Sequence, residues 1–371
     1  MDARRRQARR EWSVAALLLL ATFASTWLTY GFFWSDGAPW ASARAAGEAA
    51  QYATGILAIL GAHEAGHYLV GRRHAVEQSP PWFLPVPLAF GTMGAIIRMR
   101  RPPGSRTALA EMAAGGPLAG FAVSVVVLAL GLGQTVAVEA PAWTTEWPPP
   151  PPPPTPEWVM AVDAVLGAAI GAVERAAAAP GWGWLGVLVP ELPAEPAQTL
   201  LILANPPLMD GLGVLILGAA PGRYDTLGPL ALAGWAGCFL TAMNLLPIGQ
   251  LDGGHIANAL WPAQARRISV VTAAVVLVLG ALYWPGWAVW IFVMWAVGAW
   301  RSVRLPAEPP PRGRAWAAAL GCAVAFGACF MPAPIEQESL PLRQMEIRRP
   351  DGTAVTPDEV EAWLQAARGQ P

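Results

Sequence analysis

The chain contains no lysine: all 24 of its basic residues are arginine, set against 25 acidic ones for a formal net charge of −1. Such a chain offers no strongly basic surface, which excludes nucleic acid as the expected partner. Charge itself is scarce. Charged residues make up 13% of the 371 positions, against roughly 25% in a soluble chain. That shortage excludes an ordinary water-soluble globule, and a 54% hydrophobic content makes the lipid bilayer the expected surroundings. Cysteine is limited to Cys238, Cys322 and Cys329, all in apolar segments and none in a CxxC pair. They read as inert packing thiols. Cys322 and Cys329, seven apart on one helix face, cannot bridge within that helix. Arginine without lysine, beside abundant Ala, Gly and Pro, reads as a GC-rich coding bias and points to a bacterium.

What the chain does have is long apolar runs. Met1-Asp-Ala-Arg-Arg-Arg-Gln-Ala-Arg-Arg precedes one that continues to about Trp34, long enough for the ~30 Å hydrocarbon layer. A cleaved signal peptide has a shorter apolar core. This is therefore a retained first span, about 13–34, with five arginines holding the N-terminus in the cytosol. Further spans are expected at about 50–71, 108–133, 227–247, 268–283, 286–300 and 315–331. Residues 198–220, interrupted by Asn205-Pro206-Pro207 and Asp210, read as a half-buried interfacial helix in preference to an extra span. Arginine clusters at 4–10, 72–73, 98–106, 266–267 and 301–314 then all fall on the cytosolic side. The acidic stretch 134–197 falls opposite.

Three stretches are not spans. Residues 78–101 carry prolines at 80, 81, 85 and 87, which forbid a continuous helix. They are too apolar for an ordinary loop. Gly91, Gly94 and Ile96-Ile97 fit an extended hairpin at membrane depth, where irregular backbone must be covered by protein or line a wet cavity. Residues 134–197, with Pro148–Pro154, read as an extracytoplasmic linker with a stiff polyproline segment. The polar tail 334–371 contains Thr356-Pro357-Asp358-Glu359, a helix opening.

The expectation is an all-α polytopic membrane protein of about seven transmembrane helices (six to eight), with a membrane-embedded β-hairpin at about 80–101. Its parts would be 1–49, the N-terminus and first span; 50–133, a catalytic core; 134–226, the loop and interfacial segment; 227–262, a span with LDGG; 263–333, C-terminal spans; and 334–371, the tail.

The chemistry centres on His63-Glu64-Ala65-Gly66-His67. As a helix this puts two imidazoles one turn apart on one face. They can grip one zinc ion while Glu64 draws a proton from a zinc-bound water. Chance supplies HExxH on the order of a few times per thousand chains of this composition. A single carboxylate at bilayer depth costs about 2.5–3.5 kcal/mol, so three ionisable groups in five residues need a shared purpose. Helix rise places His63 about 14 Å and His67 about 8 Å inward from Arg72.

A catalytic zinc takes three protein ligands and keeps one position open. Asp252, in Gln250-Leu251-Asp252-Gly253-Gly254-His255, is the expected third ligand, its glycines clearing space for close backbone approach. His255 is the runner-up, with Asp210 and Glu111 as further alternatives. Asn244, eight residues before Asp252, is expected to steady a developing oxyanion, with Pro247 breaking the helix between them.

HEAGH in one span, Gly115-Gly-Pro-Leu-Ala-Gly120 in the next and Asn244-Leu-Leu-Pro-Ile-Gly-Gln-Leu-Asp-Gly-Gly-His255 later together resemble the site-2 protease family, the M50 intramembrane zinc metalloproteases. Residues 78–120 resemble its PDZ-less branch of chloroplast gravitropism proteases and bacterial homologues. The resemblance implies one zinc per chain on His63, His67 and Asp252, Glu64 as base and Asn244 in support. It implies cleavage of a transmembrane segment of another protein, often to release a regulator; the compositional reading puts this in a bacterial inner membrane. A metal transporter or an inactive scaffold is the competing reading. A transporter would need polar residues along a path, whereas these cluster at one depth.

Overall fold

The computed structural model describes residues 2–35, 37–87, 89–100, 103–137, 142–144, 197–296, 298, 300, 309–341, 346–349 and 351–368. The Pro148–Pro154 run, and Arg301 and Arg304, lie outside the described residues. The chain divides into two compact units, Met1–Glu139 with Leu203–Glu336, and Ala140–Ile202 with Gln337–Pro371.

In the first unit, α1 (Asp2–Thr29) passes into a π-turn at Tyr30–Trp34. Next come α2 (Ala43–Arg73), strands β1 (Trp82–Pro85) and β2 (Thr92–Ile96), and α3 (Arg106–Leu132). The serines Ser42 and Ser105 cap α2 and α3, accepting from the N–H of Ala45 and Ala108 at 3.0 Å each, as short polar side chains do at helix starts.

Among the described residues, three helices are long and apolar enough to cross a membrane by length and composition: Arg9–Trp34, Arg106–Leu132 and Ala265–Leu282. Several shorter apolar helices join them. At 31 residues α2 has length to spare, but its histidines and glutamate dilute its apolar character. The core is a bundle of α2, α3 and α5 (Pro229–Leu245). Small residues set its closeness. A Cβ on Gly131 would strike the Ala231 backbone, and one on Gly234 would lie 2.8 Å from Leu128. Close backbone approach of this kind is how helices associate where lipid supplies no hydrophobic driving force.

The proline-broken stretch is a hairpin, as its sequence implies. Antiparallel β1 and β2 pair Trp82 with Ile96, Phe83 with Ala95 and Pro85 with Thr92, with an irregularity between Phe83 and Pro85. At its base the Gln78 amide donates to the Tyr68 carbonyl at 2.6 Å. At its tip, buried Phe90 packs against Trp34, Trp235 and Phe239, and Tyr52 donates to the Phe90 carbonyl at 3.3 Å. Tyr52 and Tyr68 lie about 24 Å apart along α2 at 1.5 Å per residue. The hairpin therefore runs beside α2 past the level of His63 and His67. Gly91 has φ +82 and leaves no room for a Cβ against Thr26 of α1, which is why the turn needs glycine.

Three expectations change. Residues 198–220 are a strand, β4 (Ala197–Leu203), followed by α4 (Pro207–Leu217). An 11-residue helix is about 16 Å long, too short to span the bilayer. The LDGG motif does not end the span before it. The chain leaves α5 at Leu246-Pro247, turns through Gly249 at φ +48, and restarts as a separate helix, α6 (Asp252–Leu260). Lastly, the fold is not purely helical. Besides the hairpin, the described residues form two small sheets, each of two strands: β4 with β5 (Ile335–Pro341), and the parallel pair β3 (Ala142–Thr144) and β6 (Glu346–Arg348). The first unit continues with α7 (Ala265–Leu282), α8 (Gly286–Ala296) and α9 (Gly313–Cys329). In the second, α10 (Pro357–Arg368) opens with a capping box in which the Thr356 N–H donates to Glu359 at 2.8 Å.

Candidate metal centre

His63 and His67 stand one turn apart in the C-terminal half of α2, as the i, i+4 spacing requires. Their Nε2 atoms are 3.0 Å apart. Asp252, the first residue of α6, brings its Oδ2 to 3.2 Å from His63 Nε2 and 3.4 Å from His67 Nε2. Two imidazole nitrogens and a carboxylate oxygen thus form a nearly equilateral triangle. Zinc bonds of about 2.0–2.1 Å at the tetrahedral angle put donor atoms about 3.3–3.4 Å apart. The triangle fits that geometry. Among the described residues this is the one group of three or more His, Cys, Asp or Glu side chains able to hold a metal.

The surroundings prepare the donors. The Nδ1–H of His67 donates to the Met112 carbonyl at 2.8 Å. That fixes the tautomer and leaves the Nε2 lone pair for a metal. Asp252 sits at the N-terminus of α6, where the helix dipole favours a carboxylate. The stretch Gly115–Gly120 of α3 supplies the cradle. A Cβ on Gly116 would overlap His67 Nε2, and one on Gly120 would press His63 at 3.2 Å. The i, i+4 spacing of Gly116 and Gly120 answers that of the two histidines. A Cβ on Gly66 would overlap the Gly115 carbonyl, so the glycine inside HEAGH is what lets α3 approach. Gly253 and Gly254 play the same part for α6, against the carbonyls of Leu245 and Gly249.

Glu64 is 7% exposed, as is His63. Asn244 lies half-buried in the last turn of α5, with no side-chain hydrogen bond to another described residue. The other candidates are not drawn into the triangle. His255 lies one turn beyond Asp252 on α6, its Nδ1 buried without a hydrogen-bond partner among the described residues. Glu111 pairs with His74 at 2.9 Å and Arg314 at 3.6 Å. Asp210 accepts from Asn205 at 2.9 Å. Met112, Gly116 and Gly120 were not among the sequence candidates. Met112 acts through its backbone carbonyl, which no side chain advertises; the glycine pair could have been found from its spacing.

Comparison with known proteins finds relatives described as probable zinc metalloproteases. A rice protein (Oryza sativa subsp. indica) described as "Probable zinc metalloprotease EGY2, chloroplastic" is 31% identical over 214 residues, 57% of this chain and 29% of its own length. Arabidopsis thaliana proteins described as "Probable zinc metalloprotease EGY2, chloroplastic" and "Probable zinc metalloprotease EGY1, chloroplastic" are each 26% identical, over 61% and 65% of this chain. The alignments cover only 31% and 35% of those relatives, so the chain matches about a third of each. No solved structure matches. The profile of peptidase family M50 matches residues 51–284, a segment holding the HEAGH helix, the GGPLAG cradle and the LDGG helix, and the chain belongs to that family.

Proposed function

We propose that the chain is an intramembrane zinc metalloprotease that hydrolyses peptide bonds in or near transmembrane segments of other membrane proteins, as a step of regulated intramembrane proteolysis. The observation that carries this is the donor triangle of His63, His67 and Asp252, with edges of 3.0–3.4 Å and Glu64 on the same helix turn. One zinc held there supplies a Lewis acid for the scissile carbonyl and lowers the pKa of water toward about 7.

The chain's own groups do the rest. Glu64 takes the proton of the attacking water and returns it to the leaving amine. Asn244 donates to the oxygen on which negative charge develops. Met112, Gly116 and Gly120 hold the histidine rings in place. A helical substrate hides its amides in its own hydrogen bonds and must unwind to be cut. The β2 edge away from β1 is unpaired among the described residues, and Met93 and Ile96 on that strand are 64% and 52% exposed. An unwound substrate adds to this edge as a further strand, which carries it past the level of the histidines.

The arginine distribution puts the N-terminus and the site's end of α2 on the cytosolic side. Composition favours a bacterial inner membrane; the names of the plant relatives place those proteins in the chloroplast. The test is to purify the Glu64→Gln protein from its own membranes and identify what stays bound. A membrane protein that wild-type enzyme then cleaves supports the proposal. A zinc-loaded protein whose bound proteins wild type leaves intact would sink it.

A further inference from the structure

Arg106 is the first residue of α3, preceded by its cap Ser105. A cation there opposes the dipole of its own helix, whose N-terminus favours negative charge. Its side chain serves another helix. The Arg106 guanidinium donates through Nε to the Ala259 carbonyl at 2.7 Å and through a terminal nitrogen to the Leu260 carbonyl at 2.9 Å. Those are the last two carbonyls of α6, among the groups a helix end leaves unsatisfied. The two-pronged contact uses the fork of the guanidinium, and a cation at a helix C-terminus has the favourable sign.

The other end of α6 is Asp252. The nine-residue helix is about 12 Å from first Cα to last. It behaves as a short rod with the carboxylate on one tip and Arg106 on the other. Its far end also packs on the start of α3 and of α9, where Ala259 meets Leu109, Ala110 and Ala315. The same α3 holds the histidines through Met112, Gly116 and Gly120. One helix is therefore the common reference for all three donors: it grips the α2 pair in its middle and the α6 rod at its start. Metal ligand distances tolerate only about 0.2 Å, so a small swing of the rod about its α3 end is felt at the donor triangle.

We propose that Arg106 is a metal-positioning residue: by capping the C-terminus of α6 it fixes where Asp252 meets His63 and His67. This rests on reading those three residues as the zinc ligands. The experiment measures zinc affinity of the purified full chain by competition with a chromophoric chelator, alongside thermal unfolding without metal and with saturating zinc.

Arg106→Gln should weaken zinc on the order of 10–100-fold, the usual range for groups that orient ligands, and shrink the zinc-induced rise in melting temperature. Arg106→Lys, with a point charge in place of the fork, should fall between. Arg314→Gln, removing a cation on α9 that pairs with Glu111, should keep wild-type zinc affinity. If the metal-free Arg106→Gln protein melts earlier yet binds zinc like wild type, Arg106 is only a structural tie and the proposal is overturned. An equal loss in Arg314→Gln overturns it too. If Arg106→Gln does not fold, Arg106→Lys with undiminished zinc affinity has the same force. A wild-type chain that binds no zinc, or binds it equally well after His63→Ala, overturns the ligand reading and this inference with it.

Discussion

At the scale of single residues, the proposed site depends on glycines as much as on its three donors. Glu64 should behave as a base and nothing else: Glu64→Gln is expected to keep one zinc per chain and lose about 10²–10⁴-fold in cleavage rate, read from metal content and product formation on one preparation. Gly116→Ala makes the complementary prediction. The new Cβ would overlap the His67 ring, so zinc affinity should fall at least about tenfold, as it does when ligand orientation is lost. Gly61→Ala, a few residues before the site with nothing within 4 Å, should bind zinc like wild type and gain up to about 1 kcal/mol of helix stability. Equal zinc affinity in the two alanine variants would contradict the cradle. HEAGH was legible because both its histidines lie within one helical turn, where spacing alone dictates geometry. Asp252, 185 positions beyond His67 (252 − 67), was reachable only because carboxylates in apolar segments are rare. Met112 was not legible at all, since its contribution is a carbonyl. Arg106 read as one more cytosolic arginine, its partners being backbone atoms more than 150 positions away.

At the scale of elements, the hairpin and the short ligand helix are the parts to perturb. Successive residues of a strand turn their N–H groups to opposite edges. A proline placed in turn at Ala95 and Ile96 should therefore act asymmetrically. At the position whose N–H faces β1 it should disturb the hairpin and lower thermal stability. At the position facing the open edge it should leave folding and zinc content intact and abolish cleavage. If the fold-preserving proline leaves cleavage unchanged, strand addition to β2 is wrong. The four prolines of 80–87 made the hairpin readable, because they ruled out a helix in a stretch too apolar for a surface loop. The restart at Asp252 was less readable. Pro247 signalled a break, but the left-handed Gly249 and a new helix beginning on Asp252 itself carry no such local signal. The strands β3 to β6 escaped notice because each draws its partner from a distant part of the chain, where local pattern carries little signal.

At the scale of the molecule, the arginine map predicts sidedness. Single cysteines introduced at His74 and Gly104, on a background in which Cys238, Cys322 and Cys329 are replaced, should react with a membrane-impermeant maleimide only from the cytosolic face. Cysteines at Val136 and Ala219 should react only from the other face; labelling in the reverse sense would invert the topology. Membrane character and the helical plan were plain from composition and apolar runs, because the bilayer imposes a length of about 20 residues on each crossing helix. Span number was harder to read, since Pro207–Leu217 and Gly286–Ala296 are apolar yet only 11 residues each. The central claim is that peptide bonds are cut at a zinc inside the bilayer. The most direct measurement maps the new N-termini that appear in membranes containing wild-type protein and are absent with Glu64→Gln. With the histidines about 8–14 Å inward from Arg72 by helix rise, the account predicts cuts within the cytosolic half of transmembrane segments. Cuts confined to soluble loops, or the same termini in both membranes, would contradict it.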